Sequence, residues 1–448
     1  MKAFKAYDIR GEWGTELDAK IAYRIGFFLP EILNCDHFLV GRDCRLSSDE
    51  FFDALSDGIT DAGANVSDAG YTTTSLIYWA TARFNFNGSV MITASHNPKN
   101  HNGLKVSGPD ALPIGYDNGL NKLEKLVENI EPKATKTKGF IQPIELREAY
   151  LKFLNGYRID FSALRIAVDC SNGMASLFVK DLLGKDAFYI NDKADGNFPG
   201  HDPNPLKPSN QEQLKSMVIN RHCDIGLIFD GDADRVMFID ENGKFISPDL
   251  IIALLGHYFF EQKGMKGKVL QDIRSSKAIG EYLAQFGAEV ETWRVGRAYG
   301  AGKLREIDGL YGGELAGHYY FRDFYYSDSA LLAALIILDL MTKFKHAGFT
   351  LSKLIKTISS YYNSGEINFK IEQKQAAMDA VCAFFTQHEK PVQTLDFDGY
   401  RLDFKDWWFN IRPSNTEPYL RFIAEAKTEE KLNEVVAQVN KIIESLNS

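Results

Sequence analysis

The chain has 448 residues, 45% of them apolar and 25% charged, with a formal net charge of −9. At ~100–200 residues per domain this length predicts three or four domains, and the proportions exclude a collagenous or largely disordered protein. The acidic balance argues against a general nucleic-acid binder, and the longest clean apolar run, Ala330 to Leu338, stops at Asp339, well short of the ~20 residues of a membrane span.

In chain order, Met1 to Trp13 carries two lysines with no apolar stretch behind them, so no secretory signal is read. Phe38-Leu-Val-Gly-Arg-Asp43 reads as an apolar strand ending in a charged loop. Ser47 or Ser48 then caps a helix reaching Gly63-Ala64, and a second strand covers Asn65 to Ala69. The same order returns from Leu164 to Asp169, with the loop Cys170-Ser-Asn-Gly173, a helix to Gly184 and a strand near Ala187. It returns again from Lys268 to Asp272, with the loop Ile273-Arg-Ser-Ser276, a helix through Phe286 and a strand from Glu289 to Trp293. Strand, polar loop, helix, glycine, strand is the βαβ signature, predicting mostly parallel mixed sheets with helices packed on them. Any α/β protein shows such a unit by chance, but three at roughly 100–130-residue spacing favour three similar domains.

After about Gly365 the pattern changes. Alternation in Asp396–Phe404 and Trp407–Arg412 predicts antiparallel strands, and Lys427 to Asn447 predicts an amphipathic helix with Leu432, Val435, Val436, Val439 and Ile442 on one face. The expected domains are 1–150, 151–250 and 251–365, all α/β with mixed sheets, and 366–448, which is α+β. The cysteines Cys35, Cys44, Cys170, Cys223 and Cys382 are odd in number and contain no CxxC, which fits free thiols in a reducing cytoplasm.

Four loops carry candidate chemistry. Thr93-Ala-Ser-His-Asn-Pro98 follows the strand from Ser89. Ser95 at a strand end is a candidate nucleophile, although an ordinary Ser/Asn/Pro turn explains the same residues. An Asn102-Gly103 turn is expected next, returning Lys105 beside Ser95. In Phe229-Asp-Gly-Asp-Ala-Asp-Arg235, the carboxylates of Asp230, Asp232 and Asp234 repel one another unless a hard divalent cation joins them. An EF-hand is rejected, because Arg235 stands where its glycine belongs and strands flank the loop. In Tyr311-Gly-Gly-Glu-Leu-Ala-Gly-His318, Glu314 is suited to vicinal sugar hydroxyls and His318 to a reacting hydroxyl. In Ile411-Arg-Pro-Ser-Asn-Thr-Glu-Pro418, Arg412, Ser414, Asn415 and Thr416 suit an anion nest as well as a plain turn. Together they imply a phosphosugar in a central cleft, with Arg10, Lys105, Arg235, Arg274, Arg297 and Arg412 focusing positive charge on it.

Five stretches, Phe4–Gly11, Thr93–Pro98, Asp230–Arg235, Gly312–His318 and Arg412–Thr416, stand in the order of the α-D-phosphohexomutase family, which the chain resembles over essentially its whole length. The resemblance implies four domains around a central cleft and interconversion of a hexose 6-phosphate and 1-phosphate. Mannose is the first expectation, feeding GDP-mannose synthesis; glucose, or both sugars, is the runner-up. A phosphosugar-binding regulator is the non-enzyme alternative. It implies that Ser95 is a phosphoserine binding Mg²⁺ with Asp230, Asp232 and Asp234, and that a hexose 1,6-bisphosphate is intermediate and activator. Tyr7, Arg10, His96, Lys105 and Arg235 would line the reaction site, with His318 or Lys105 as base. Arg274, Arg297, Glu314, Ala316 and His318 would face the sugar, while Arg412, Ser414, Asn415 and Thr416 hold the other phosphate. A cytoplasmic monomer or dimer is expected, without nucleic-acid or membrane partners. Two departures bear on substrate preference: Ala316 replaces the family's usual serine, and Arg297 its usual histidine, which leaves the roles of Arg297 and nearby Lys303 open.

Overall fold

The computed structural model describes residues 1–414 and 419–447. Four sheets succeed one another along the chain. In the first, spatial order is Ile9–Glu12, His101–Ser107, Gly88–Ile92, His37–Arg42, Asn65–Tyr71 and Ile141–Pro143. His37–Arg42 runs parallel to both Asn65–Tyr71 and Gly88–Ile92, whereas His101–Ser107 runs antiparallel to Gly88–Ile92, so the sheet is mixed. Phe38, Leu39 and Val40 are all buried, as a central strand covered on both faces requires. One cover is the helix pair Ala19–Leu33 and Ser48–Asp61. These helices meet so closely that a Cβ on Gly26 would lie 2.0 Å from the Leu55 carbonyl oxygen.

The second sheet orders Phe245–Ile246, Val236–Asp240, Ile225–Phe229, Ile166–Asp169 and Phe188–Ile190; the third, Glu289–Trp293, Lys268–Asp272, Tyr311–Gly313 and Tyr319–Phe321. All three expected βαβ units are present as parallel strand pairs. They share one atomic detail. The carboxylate closing each first strand accepts from the amide two residues on: Asp43 from Arg45 at 3.0 Å, Asp169 from Ser171 at 2.8 Å and Asp272 from Arg274 at 2.7 Å. Two local expectations differ. The helix expected up to Gly184 is split into a 3₁₀ turn, Met174–Leu177, and a short helix, Val179–Leu183. Ser47 occupies the N-cap position of Ser48–Asp61 without a side-chain cap bond; its hydroxyl accepts from Asn102 instead.

The last sheet is antiparallel, with Tyr400–Asp403 and Trp407–Pro413 adjacent and the helix Glu429–Asn447 packed on it through Leu432, Val435 and Val439. It has its own core of Phe385, Phe404, Trp407 and Phe409, whereas one continuous core runs from Trp79 and Tyr150 through Phe229 to the buried helix Ala330–His346. The last module therefore joins the rest chiefly through polar contacts. Arg401 donates to the carbonyls of Ile273 (2.9 Å) and Ser275 (2.6 Å), and the Val295 amide donates to Asp398 (2.8 Å). Among the described residues no helix is long and apolar enough to cross a membrane.

Candidate active site

The buried strand Gly88–Ile92 opens into the loop that carries Ser95, whose φ of 52° lies in the left-handed region. The Ser95 hydroxyl is fully buried and donates to Asp230 Oδ2 at 2.8 Å; His96 Nδ1 lies 3.4 Å from it. Burial and the cations of Arg235, Arg10 and Lys105 push the His96 imidazole well below its ordinary pKa, so it is neutral. The chain reverses before the strand His101–Ser107 rather than at Asn102-Gly103, which lies within it. A Cβ on Gly103 would sit 2.2 Å from the Ile9 carbonyl oxygen, so this glycine admits the neighbouring strand Ile9–Glu12. Lys105 accordingly reaches the acidic loop, not Ser95: its ammonium is 2.6 Å from Asp232 Oδ2 and also ion-paired to Asp234.

Asp230, Asp232 and Asp234 sit fully buried between the strands Ile225–Phe229 and Val236–Asp240, with ligand oxygens within 4.8 Å of one another. Burial, Asp232 and Asp234 together push Asp230 well above its ordinary value. Asp234, which burial alone would raise, is drawn down by Lys105 and His318. Asp232 also accepts from the Thr74 hydroxyl, and its carbonyl accepts from the Thr74 amide at 3.1 Å. Asp232 Oδ1 and Asp234 Oδ1 are buried acceptors without a hydrogen bond. Clustered hard oxygens with unsatisfied lone pairs fit a divalent cation. Arg235 flanks them, with Nε 3.6 Å from Asp230.

Glu314 and His318 lie on the hairpin of Tyr311–Gly313 and Tyr319–Phe321. Burial raises the Glu314 carboxyl, which accepts from the Tyr320 hydroxyl at 2.6 Å. His318 Nδ1 lies 2.6 Å from Asp328 Oδ2, and Arg297 Nε lies 3.1 Å from Asp328 Oδ1 with its guanidinium 3.5 Å above the Tyr78 ring. Burial alone would raise Asp328, but the His318 hydrogen bond and Arg297 hold it down to about 2. Sequence reasoning missed Asp328; nothing in the aromatic stretch Phe321–Tyr326 before it marks it. Lys303, left open by the sequence, stands outside the cleft, paired with Glu306 at 2.8 Å and 4.4 Å from the Trp293 ring.

At the far end Arg412 is buried, 3.4 Å from Asp398, and burial together with the nearby Arg274 charge lowers its pKa. Arg274 binds Asp272 at 2.7 Å; Glu366 lies 3.8 Å from Arg274 and 3.1 Å from Arg421. Guanidinium groups crowded this way favour an anion between them. Asn415 and Thr416 lie outside the described residues.

One cleft of about 1090 Å³ joins these parts. It is lined by Tyr7, Arg10, His96 and Lys105 from the first module, Arg235 from the second, Arg274, Arg297, Glu314, Ala316 and His318 from the third, and Arg412 and Ser414 from the last. Ser95 and the three aspartates lie buried behind its wall. A cation-rich cleft in a chain of net charge −9 concentrates positive potential where an anion would enter.

Four modules in this order around one cleft are the architecture of the phosphohexomutases, which are intramolecular phosphotransferases. The phosphoglucomutase/phosphomannomutase profiles match in succession: alpha/beta/alpha domain I over residues 1–134, domain II over 148–243, domain III over 247–361 and the C-terminal domain over 366–442. The chain belongs to the phosphoglucomutase/phosphomannomutase family. It is 35% identical to the phosphomannomutase of Vibrio cholerae, with 100% of this chain and 99% of that protein covered. It is 36% identical to the phosphomannomutase of Escherichia coli K12, with 97% of each covered. A phosphoglucomutase/phosphomannomutase family protein from Burkholderia thailandensis, solved by crystallography, superposes with a TM-score of 0.88 at 26% identity, covering 100% of this chain and 98% of its own.

Proposed function

We propose that this chain is a phosphomannomutase, interconverting mannose 6-phosphate and mannose 1-phosphate through phosphorylated Ser95 and a 1,6-bisphosphate. The observation that carries the reading is a single cleft with the Ser95 hydroxyl and three aspartates behind one end, arginines crowded at the other, and Glu314 and His318 between. The relatives named phosphomannomutase supply the sugar.

In the forward half-reaction the bond from Ser95 Oγ to phosphorus breaks, a bond from the sugar hydroxyl oxygen to phosphorus forms, and the hydroxyl proton passes to a base. The bisphosphate then turns around, and its other phosphoryl group returns to Ser95. Tyr7, Arg10, His96, Lys105 and Arg235 line the transferring end; Arg274, Arg297, Glu314 and Ala316 face the sugar, and Arg412 and Ser414 hold the idle phosphate. His318 is the better base. Ionised Asp328 accepts a hydrogen bond from Nδ1–H, which keeps the proton on Nδ1 and leaves the Nε2 lone pair free to accept. Lys105, which burial alone would lower, is raised by Asp232 and Asp234 and so keeps its proton. Asp230, Asp232 and Asp234, with Ser95, would hold Mg²⁺, which when bound neutralises charge on the transferring group.

The working enzyme is a cytoplasmic monomer or dimer, activated by hexose 1,6-bisphosphate and feeding GDP-mannose synthesis. Ala316, which brings no hydroxyl to the cleft, supports some activity on glucose phosphates as well. Coupled assays with mannose, glucose and glucosamine 1-phosphates, alongside intact-protein mass, test the reading. Mannose 1-phosphate should turn over fastest and the protein should carry one phosphate. Failure on every sugar with no phosphate bound would refute it.

A further inference from the structure

We propose that Asp43, Arg45 and Thr93 are positioning residues that clamp the backbone of Ser95 from both sides and so aim its hydroxyl; the inference rests on the reading of Ser95 as phosphoryl carrier. A left-handed φ of 52° is unfavourable for a residue with a Cβ, so something must hold it. The hydrogen bonds close into a ring on Ser95 itself. The Ser95 amide donates to Thr93 Oγ1 at 2.8 Å, and the Thr93 hydroxyl donates to Asp43 Oδ2 at 2.7 Å. Asp43 Oδ2 accepts from Arg45 Nε at 3.1 Å, and Arg45 Nη2 donates to the Ser95 carbonyl at 2.8 Å.

Arg45 has no capacity left for a ligand. Its remaining guanidinium hydrogens go to the carbonyls of Asn97 (2.8 Å), Pro98 (2.7 Å) and His101 (3.0 Å), so every donor is spent on Asp43 or on the loop. Its side chain is 0% exposed and does not line the cleft, while the Phe198 ring of the second module lies 5.2 Å from the guanidinium. Such a group acts on the reaction only through the loop it holds. Released, Ser95 would relax toward ordinary φ and carry Oγ away from Asp230. Misplacing a reacting atom by about 1 Å costs up to ~10²-fold in rate.

Thr93→Val deletes only the hydroxyl link, Arg45→Lys cannot supply five fixed donors, and Thr93→Ser keeps the link. Thr93→Val and Arg45→Lys should each lower kcat by roughly tenfold to a hundredfold with KM within about twofold, and the backbone amides of residues 94–97 and 99–101 should exchange hydrogen faster. Thr93→Ser should restore both. Because the residues form one ring, the double variant should lose less than the product of the single losses. If Arg45→Lys does not fold, Thr93→Val decides. Wild-type kcat in Thr93→Val, or unchanged exchange at those amides, overturns the clamp. A wild type inactive on every hexose phosphate overturns the functional reading instead, and the exchange measurement then decides on the clamp alone.

Discussion

Asp328→Asn removes a charge while keeping size, and its consequences follow from two contacts. Asp328 is fully buried, accepts from His318 Nδ1 at 2.6 Å and from Arg297 Nε at 3.1 Å, and is held down to about 2 by them. An asparagine has one oxygen and one amide nitrogen for these two donors. With its oxygen toward His318, its NH₂ opposes the Arg297 N–H. With its oxygen toward Arg297, His318 must accept at Nδ1 and carry its proton on Nε2, which no longer serves as base. Losing one charge-assisted hydrogen bond costs about 1.5–3 kcal/mol of stability. Losing general-base catalysis costs ~10²–10⁴ in rate. The variant should therefore melt at lower temperature and lose about 10²-fold or more in kcat, while KM stays within about threefold, because the phosphate-holding arginines are untouched. Steady-state rates from about pH 6 to 9, with mass spectrometry to establish that Ser95 still becomes phosphorylated, measure this. A kcat within about threefold of wild type throughout would refute the dependence of the His318 base on the Asp328 charge.

Ser95→Ala should abolish turnover by several orders of magnitude, keep substrate affinity, and leave the intact mass without phosphate after bisphosphate treatment; near-normal turnover would end its role as carrier. Exhaustive chelation should silence the wild type and Mg²⁺ revive it, while Asp232→Asn needs more Mg²⁺ for less rate; indifference to chelator would separate the aspartates from metal. Ala316→Ser adds a neutral hydrogen bond of ~0.5–1.5 kcal/mol and should lower KM about threefold to tenfold for either sugar, with metal dependence unchanged; weaker binding would mean the loop has repacked around the methyl. Glu425, buried at the junction of the third and last modules, accepts from Ser276, Trp408 (2.8 Å) and Asn363 (2.8 Å), and burial followed by Asp249 pushes it up from 4.5 to about 7. A carboxyl raised on folding stabilises while protonated, below about 4.5, and that contribution fades as pH climbs through about 7. Glu425→Gln should thus gain on wild type by up to about 3 kcal/mol between acid and mildly alkaline pH, read from denaturant melts; a pH-independent difference would show that Glu425 does not titrate there.

The strands Lys268–Asp272 and Glu289–Trp293 were legible at their ends, because a short apolar run between polar loops is a local signal. The carboxylate triplet and the Ser95 loop were legible because like charges two residues apart, or a serine closing a strand, are unusual whatever surrounds them. Asn102-Gly103 misled for the same reason: its local preference is a turn, yet pairing with Ile9–Glu12 holds it in a strand. What sequence alone determined is therefore modular order and the residue types offered at each loop. Tertiary structure decided their partners. Lys105 meets Asp232 across 127 residues, Ser95 meets Asp230 across 135, and Arg45 reaches the carbonyl of Ser95 across 50. Period and turn preference act over a few residues, whereas hydrogen-bond partners are chosen by whichever groups the folded strands and loops bring within about 3 Å, so Asp328 and Arg45 carried no mark until each module had folded.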